Sequence, residues 1–191
     1  MFGKTLQIAL RFTLITTLML GIGYPLIVTG FAQLALKRQA NGELITRNGV
    51  VIGSALIGQN FSSDKYFHSR PSAAGNGYDA SNSSGSNYAQ TNQKLVTRIQ
   101  GDVAKASADN PSQPVPIDLV TASGSGLDPD ITPAAALYQV HRVAQARNLT
   151  DDQVTLLVNE HITPRQFGIL GEPRVNVLQL NLALDALSAS K

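Results

Sequence analysis

Residues 12–36 read FTLITTLMLGIGYPLIVTGFAQLAL, a run of 25 residues without a charged side chain. As an α-helix rising about 1.5 Å per residue, the run extends roughly 37 Å, which exceeds the roughly 30 Å hydrocarbon core of a bilayer. Twelve of its residues are Leu, Ile, Val or Phe, and each of these favours membrane insertion by roughly 0.3–0.6 kcal/mol. The run therefore predicts a transmembrane helix over residues 12–36.

A cleaved signal peptide is the competing interpretation of the same run. The small residues Gly30 and Ala32 precede Gln33 in a pattern that resembles a cleavage site. The apolar core of a signal peptide, however, is only about 7–15 residues long. The length of the run therefore favours a retained membrane helix.

Flanking charges leave the orientation of this helix open. Lys4, Arg11 and the α-amino group lie on one side, and Lys37, Arg38 and Arg47 lie on the other. Positive charge near the cytoplasmic end sets the orientation of most single helices, and here the two counts are nearly equal. Both orientations therefore remain possible on charge alone.

Small residues recur every fourth position along one side of the predicted helix. The row comprises Ala9, Thr13, Thr17, Gly21, Pro25 and Thr29. Such a row lets a second helix approach closely, and Thr hydroxyls can bond across the contact. Alternatively, each Thr bonds its own helix backbone and Gly21 marks a kink before Pro25. The sequence favours packing against a partner through Thr13, Thr17 and Gly21.

The rest of the chain is uncharged on average. The 191 residues include 15 Lys or Arg and 13 Asp or Glu; only Lys4 and Arg11 fall in the first 36 residues, which leaves 13 charges of each sign beyond them. Clustered cations, which binding to a nucleic-acid backbone requires, are missing from the sequence. Cysteine is also missing, which excludes disulfides, thiolate nucleophiles and Cys-type zinc sites. An apolar fraction of 43% excludes a mainly disordered chain.

These patterns divide the chain into four parts. Residues 1–11 form a short basic tail, 12–36 the transmembrane helix, 37–48 a polar linker, and 49–191 one extramembrane domain. We expect that domain to be mixed α/β, of the α+β type, because short apolar runs come first and helical patterns dominate its last third.

Within the domain, local signals predict individual elements. Short strands are expected at 50–52 and 55–57, a helix over about 88–108, and a buried strand over 115–121. The Ser-, Asn- and Gly-rich stretch 69–93 is long for a loop without regular structure, which makes it functional, an interface, or mobile.

Three capping signals predict the helices of the last third. Thr132 precedes Pro133, Thr150 lies three residues before Gln153, and Asn176 precedes the final apolar run. The final run also alternates as a strand would, and its length favours a helix.

The sequence predicts no catalytic or metal-binding motif. The histidines His68, His141 and His161 lack the spacing of metal ligands. The most distinctive loop holds Ser123, Gly124, Ser125 and Gly126 and is followed by Asp128 and Asp130. It can be a structural turn or interface, a nucleotide contact through backbone amides, or a cation site, and the two carboxylates favour the first.

Four stretches, in order along the chain, carry a resemblance to a known family. They are residues 66–75 (YFHSRPSAAG), 120–129 (VTASGSGLDP), 138–147 (YQVHRVAQAR) and 171–178 (GEPRVNVL). Together with the N-terminal membrane helix, they resemble the C subunit of Kdp-type potassium-transporting ATPases over the whole chain. The departures are small: Ser84 stands where the family usually has Gly, and Asp130-Ile131-Thr132 stands where it usually has His-Ile-Ser.

The resemblance implies a non-catalytic subunit of a bacterial inner-membrane pump for high-affinity potassium uptake. It implies three partners: a potassium-translocating A subunit, a P-type ATPase B subunit and a small F peptide. It also implies a catalytic chaperone that raises the ATP affinity of the B subunit, with no cofactor of its own, because ATP and potassium are handled by the complex. Gln139 and the loop of Ser123, Gly124, Ser125 and Gly126 would contribute to nucleotide binding.

The implied topology places the N-terminus in the cytoplasm and the domain in the periplasm. Direct contact with cytoplasmic ATP is then excluded, so any effect on ATP affinity would be allosteric. A different class of function remains open beside this one: a membrane-anchored periplasmic enzyme or binding module that uses Asp128, Asp130 and His141.

Overall fold

The computed structural model describes residues 2–189 and divides into two compact units, Met1–Leu44 and Ile45–Lys191. The helices are α1 (Phe2–Thr16), α2 (Tyr24–Ala35), α3 (Lys37–Ala40), α4 (Gln93–Asp109), α5 (Pro133–Tyr138), α6 (Val140–Arg147), α7 (Asp151–Glu160) and α8 (Val177–Ala189). The strands are β1 (Leu44–Arg47), β2 (Val50–Ser54), β3 (Asp130–Ile131), β4 (Ile162–Thr163) and β5 (Arg174–Asn176).

The first unit is dominated by one long apolar helix. It runs continuously over Phe2–Ala35 with a mean hydropathy of 1.7, and none of its residues is buried. A helix of 34 residues that exposes apolar side chains all round matches a membrane span. The predicted single transmembrane helix is therefore confirmed, and the helix includes residues 2–11, where a basic tail was expected.

A π-helical turn over Thr17–Gly23 joins α1 to α2. At its end the N–H of Tyr24 donates to the carbonyl of Met19, five residues back. Pro25 follows directly, and it has no N–H and would press its ring against the carbonyl four residues earlier. The wider turn relieves that clash, which accounts for the irregularity at this point.

A β-hairpin follows the membrane helix. Its strands β1 and β2 form a two-stranded sheet, and they are joined by Asn48 and Gly49, both with positive φ (52° and 78°). Two positive φ values in an Asn-Gly turn are typical of tight hairpins with the right-handed strand twist. The strand predicted over 50–52 is confirmed within β2, whereas residues 55–57 form a turn, so the second predicted strand is wrong.

The core of the second unit lies between a small antiparallel sheet and the helices α5 to α8. The sheet has the order β3–β5–β4, with Ile131 opposite Val175 and Ile162 also opposite Val175. Large side chains that are fully buried include Phe67, Val143, Val154, Val158, Val175, Leu180 and Leu184. The expected fold class, one membrane helix followed by a mixed α+β domain, is confirmed.

Local capping signals placed three helices correctly. Thr132 accepts the N–H of Ala135 at 3.1 Å, and Thr150 forms the complete capping box with Gln153. Asn176 accepts the N–H of Gln179 at 3.1 Å. These caps open α5, α7 and α8, which confirms the three predicted helix starts and settles the final run as a helix.

The buried strand predicted over 115–121 is wrong. The segment contains a 3₁₀ turn, Ile117–Leu119, instead. Pro116 has no N–H to give to a sheet, and Asp118 is buried because its carboxylate accepts the N–H of Thr132 at 2.7 Å. The polar contact, and not an apolar periodicity, decides the conformation here.

Candidate functional site

The segment Tyr66 to Arg70 is held by side chains in place of a neighbouring strand. The N–H of Phe67 donates to Oδ1 of Asn181 at 2.8 Å, and Nδ2 of Asn181 donates back to the Phe67 carbonyl at 3.0 Å. The next residue repeats the arrangement with a second carboxamide: the N–H of His68 donates to Oε1 of Gln139 at 2.8 Å, and Nε2 of Gln139 donates to the His68 carbonyl at 3.1 Å. We call Asn181 and Gln139 the amide clamp.

Gln139 sits where the helix α5 gives way to α6. Its backbone (φ −88°, ψ −7°) interrupts the helix, and its side chain is only 5% exposed. Oε1 also accepts from Nη2 of Arg142 at 2.7 Å, and Nε2 also donates to the carbonyl of Ala135 at 3.1 Å. An amide offers two N–H groups and two lone pairs, so every one of them is occupied within the protein.

Two arginines fix the start of the same segment. Nη1 of Arg142 donates to the carbonyls of Asp64 and Tyr66, at 2.7 Å and 3.1 Å. The guanidinium of Arg147 lies 4.7 Å above the Tyr66 ring and bonds Asp185 at 2.7 Å. Burial lowers the pKa of Arg142 from its ordinary value, and the Asp109 carboxylate opposes that shift. The segment is therefore tied to α6 and α8 by charged as well as neutral groups.

A cleft of about 240 Å³ opens beside the amide clamp. It is lined by His68, Tyr138 and Gln139 and, from α4, by Asp102, Lys105 and Asp109. Nε2 of His68 lies 3.1 Å from the carbonyl of Ser63, which requires a proton on that nitrogen. Burial lowers the pKa of His68 below 6.5, and the Arg142 cation acts in the same direction. At about pH 7 and above, the His68 imidazole beside the cleft is therefore mostly neutral.

The serine–glycine loop predicted as a nucleotide contact lies elsewhere. Its carbonyls accept from serines of the 69–93 stretch: Ser72 Oγ donates to Gly126 at 2.6 Å, and Ser83 Oγ donates to Ser125 at 2.9 Å. None of Ser123, Gly124, Ser125 and Gly126 lines the cleft beside Gln139. The structure thus packs the two Ser/Gly-rich loops against each other and does not bring the loop to Gln139.

A second cleft, of about 300 Å³, gathers Asp128 and Asp130 with two arginines. Arg70 pairs with Asp128 and Arg174 with Asp130, each at 3.0 Å. Burial raises the pKa of Asp130, against the opposing effects of Arg174 and Asn176. Both carboxylates therefore have cationic partners within the fold.

The third residue of the enzyme alternative, His141, is not among the residues that line this cleft. Its Nδ1 lies 3.0 Å from the Asp151 carboxylate on α7. The arrangement of Asp128, Asp130 and His141 thus offers no shared site for that alternative. Across residues 2–189, no group of three or more His, Cys, Asp or Glu side chains is placed to hold a metal ion.

The predicted packing row of the membrane helix passes through the π-helical turn. Thr17 and Gly21 lie within that turn, and Thr13 precedes it. Neighbouring Thr16, outside the row, bonds the carbonyl of Phe12 at 2.8 Å. The alternative role of the row was that each Thr hydroxyl bonds its own helix backbone. The structure shows this bond at Thr16, the residue next to Thr17 of the row.

Sequence reasoning identified Gln139 and missed the contacts that define its role. Asn181, Arg142 and Arg147 were not singled out. For Asn181 a signal exists, since it is one of two polar residues, with Gln179, in the otherwise apolar stretch LQLNLAL of α8. A buried carboxamide in such a stretch indicates a specific backbone partner.

Comparison with known proteins agrees with the four motifs. The family model described as K+-transporting ATPase, c chain, matches residues 6–186. A potassium-transporting ATPase KdpC subunit of Acidobacterium capsulatum is 59% identical over 182 residues, which cover 95% of this chain and 98% of the relative. That of Gemmatimonas aurantiaca is 59% identical over 187 residues, covering 97% and 94%, and that of Koribacter versatilis is 54% identical over 182 residues, covering 95% and 94%. The chain therefore belongs to the KdpC family, the c chains of K+-transporting ATPases.

Proposed function

We propose that this chain is a non-catalytic subunit of a bacterial ATP-driven potassium uptake complex. It stabilises the assembled complex and acts as a catalytic chaperone that raises the ATP affinity of the P-type ATPase subunit. Its partners are the potassium-translocating A subunit, the ATPase B subunit and the F peptide. ATP and potassium are handled by those partners, and this chain needs no cofactor of its own.

The hydrogen bonds of Gln139 support an indirect effect of this chain on the ATP affinity of the pump. All four hydrogen-bonding positions of its amide are occupied by His68, Ala135 and Arg142. A ligand could bond this amide only by breaking buried contacts, and each group left unpaired would cost about 1–3 kcal/mol. Gln139, and the loop of Ser123, Gly124, Ser125 and Gly126, then influence ATP affinity by shaping the surface that meets the complex.

The test separates direct from indirect action. The Gln139→Leu variant, assembled into the pump, should raise the KM for ATP, while the purified wild-type chain should bind no ATP in equilibrium dialysis. The control is Gln145→Leu, at an exposed position of α6, which should leave the KM unchanged. ATP binding by the purified chain would contradict the indirect mechanism.

The proposed topology places the N-terminus in the cytoplasm and the domain in the periplasm of a single-pass inner-membrane protein. Because the chain has no cysteine, single thiols can be introduced as reporters. Leu156→Cys, at a position 61% exposed on α7, should react with a membrane-impermeant reagent in cells with a permeabilised outer membrane. Lys4→Cys should react only after lysis; the reverse pattern would exclude this orientation.

Assembly is proposed to depend on Thr13, Thr17 and Gly21 of the membrane helix. A Cβ at Gly21 would meet only the Thr17 methyl, at 3.8 Å. The helix itself therefore does not require glycine at this position, and the need for a small residue would come from a partner helix. The double variant Thr17→Leu with Gly21→Leu should lose co-purification with the pump. The control Met19→Leu with Ile22→Leu, off the row in the same turn, should assemble normally. Equal assembly of both double variants would refute the packing role.

A further inference from the structure

The β1–β2 hairpin exposes large apolar side chains that the fold leaves uncovered. Leu44 is 57% exposed, Val50 64% and Val51 54%. Ser54 is the one buried residue of the two strands. The end of β2 packs on the rest of the domain: Nε2 of Gln59 donates to the Ile52 carbonyl at 3.5 Å, and a Cβ at Gly53 would lie 2.9 Å from Leu178. Leu44, Val50 and Val51 stay exposed beyond that contact and are open to a surface outside the described residues.

Only residues 36–43 separate the end of the membrane helix from the beginning of the hairpin. The side chains of Gln33 in α2 and Asn41 exchange two hydrogen bonds, at 3.2 Å and 3.4 Å. Asn41 also bonds the carbonyl of Lys37 at 2.5 Å. Leu44 follows Asn41 by three residues, so β1 begins within about 10 Å of Asn41. The first strand thus starts a few residues after the membrane helix ends.

Charge around the hairpin suits an anionic lipid surface. Between residues 37 and 54 the charged side chains are Lys37, Arg38 and Arg47 against Glu43, a net charge of +2. Basic residues directly beside a membrane helix are attracted to anionic headgroups. Exposed apolar residues next to cations form the pattern of segments that lie in the membrane interface.

We propose that the β1–β2 hairpin lies in the headgroup layer of the bilayer. Because two residues join β1 to β2, Leu44 and Val51 share one face of the hairpin and Val50 lies on the other. Leu44 and Val51 contact the lipid, and Arg47 pairs with the phosphates of anionic phospholipids. The hairpin is then a second membrane contact, in addition to the helix, and it restrains the domain at the bilayer surface.

The absence of tryptophan from the chain allows a direct test. In the full chain carrying Val51→Trp, reconstituted into vesicles of phosphatidylcholine and phosphatidylglycerol, the introduced indole should shift its emission to the blue. A nitroxide placed at the lipid headgroup should remove more than about half of that emission. The matched control, Leu156→Trp at a position 61% exposed on α7, should keep its emission. Circular dichroism verifies folding, and Leu44→Trp serves if the first variant does not fold.

Two results would overturn the proposal. If the introduced indole stays unquenched in vesicles, the hairpin does not lie in the headgroup layer. If that indole becomes shielded only in the assembled ATPase, the hairpin contacts a neighbouring subunit instead. Equal quenching in vesicles of phosphatidylcholine alone would remove the role of anionic lipid. Adding Arg47→Glu to the Val51→Trp chain should lower the quenching, and an unchanged value would exclude the phosphate contact.

Discussion

Asn181 supplies both backbone hydrogen bonds of Phe67, although 114 positions separate the two residues along the chain. Both are almost completely buried: Phe67 is 0% exposed and Asn181 1%. The carboxamide takes the place of a neighbouring strand, and it lets Phe67 enter the core without leaving a polar group unpaired. Gln139 does the same for His68, so two amides fix the segment that borders the cleft.

Replacing Asn181 by Leu should destabilise the protein strongly. The substitution keeps the number and branching of the side-chain heavy atoms and leaves the Phe67 N–H and C=O unpaired, which should reduce the free energy of unfolding by about 2–5 kcal/mol. Denaturant unfolding of the full chain in detergent micelles measures this. The control Asn159→Leu, exposed on α7, should change stability by less than about 0.5 kcal/mol. Similar losses in the two variants would show that the clamp adds no stability.

His68 should make stability depend on pH. Its pKa is lowered below 6.5 in the folded protein, chiefly by burial, so the unfolded chain binds more protons in the window between the folded value and 6.5. The part of the stability that depends on neutral His68 is therefore fully present above pH 6.5, and it is lost as the pH falls through that window.

The His68→Gln variant should lack this part of the pH dependence. Unfolding of the wild type and the variant at about pH 7.5 and about pH 5.5 measures the difference. A His68 proton resonance that titrates above 6.5 would contradict the prediction.

Gly126 should not tolerate a side chain. It has φ +69°, and an added Cβ would lie 2.5 Å from the Ser84 carbonyl and 2.7 Å from the Ala74 nitrogen. Both neighbours are backbone atoms, so Gly126→Ala should cost about 2–5 kcal/mol through strain and displacement of the packed loops.

The control for Gly126 lies in the same loop. A Cβ at Gly124 would meet nothing within 4 Å, so Gly124→Ala should be nearly neutral in a thermal unfolding measurement. If both variants are equally stable, the two Ser/Gly-rich loops are not packed as described.

Phe167 is held in a conformation that suits Asn better. It has φ +54° and is 84% exposed at the tip between β4 and β5. Phe167→Asn should raise the free energy of unfolding by up to about 1 kcal/mol, because Asn tolerates the left-handed region and little buried surface is lost. The control Ile169→Asn, 76% exposed without a positive φ, should give no gain. A loss of stability in Phe167→Asn would contradict this account.

Local sequence signals predicted the features that depend on neighbouring residues. The caps at Thr132, Thr150 and Asn176 each involve residues within three positions, so a short stretch of sequence contains both partners. The strand prediction over 115–121 failed because Asp118 bonds Thr132, a residue outside that stretch. Gln139 could be singled out from a motif, but its pairing with His68, 71 positions away, could not.

The amino-acid sequence by itself determined the membrane helix, the helix starts and the family, because hydrophobic length, caps and motifs are read from adjacent residues. Only the tertiary structure decided that Asn181 and Gln139 act as backbone partners and that the serine–glycine loop packs away from the cleft. These contacts join residues far apart in the chain, and a buried amide takes its role from whichever backbone groups the fold brings within hydrogen-bonding distance.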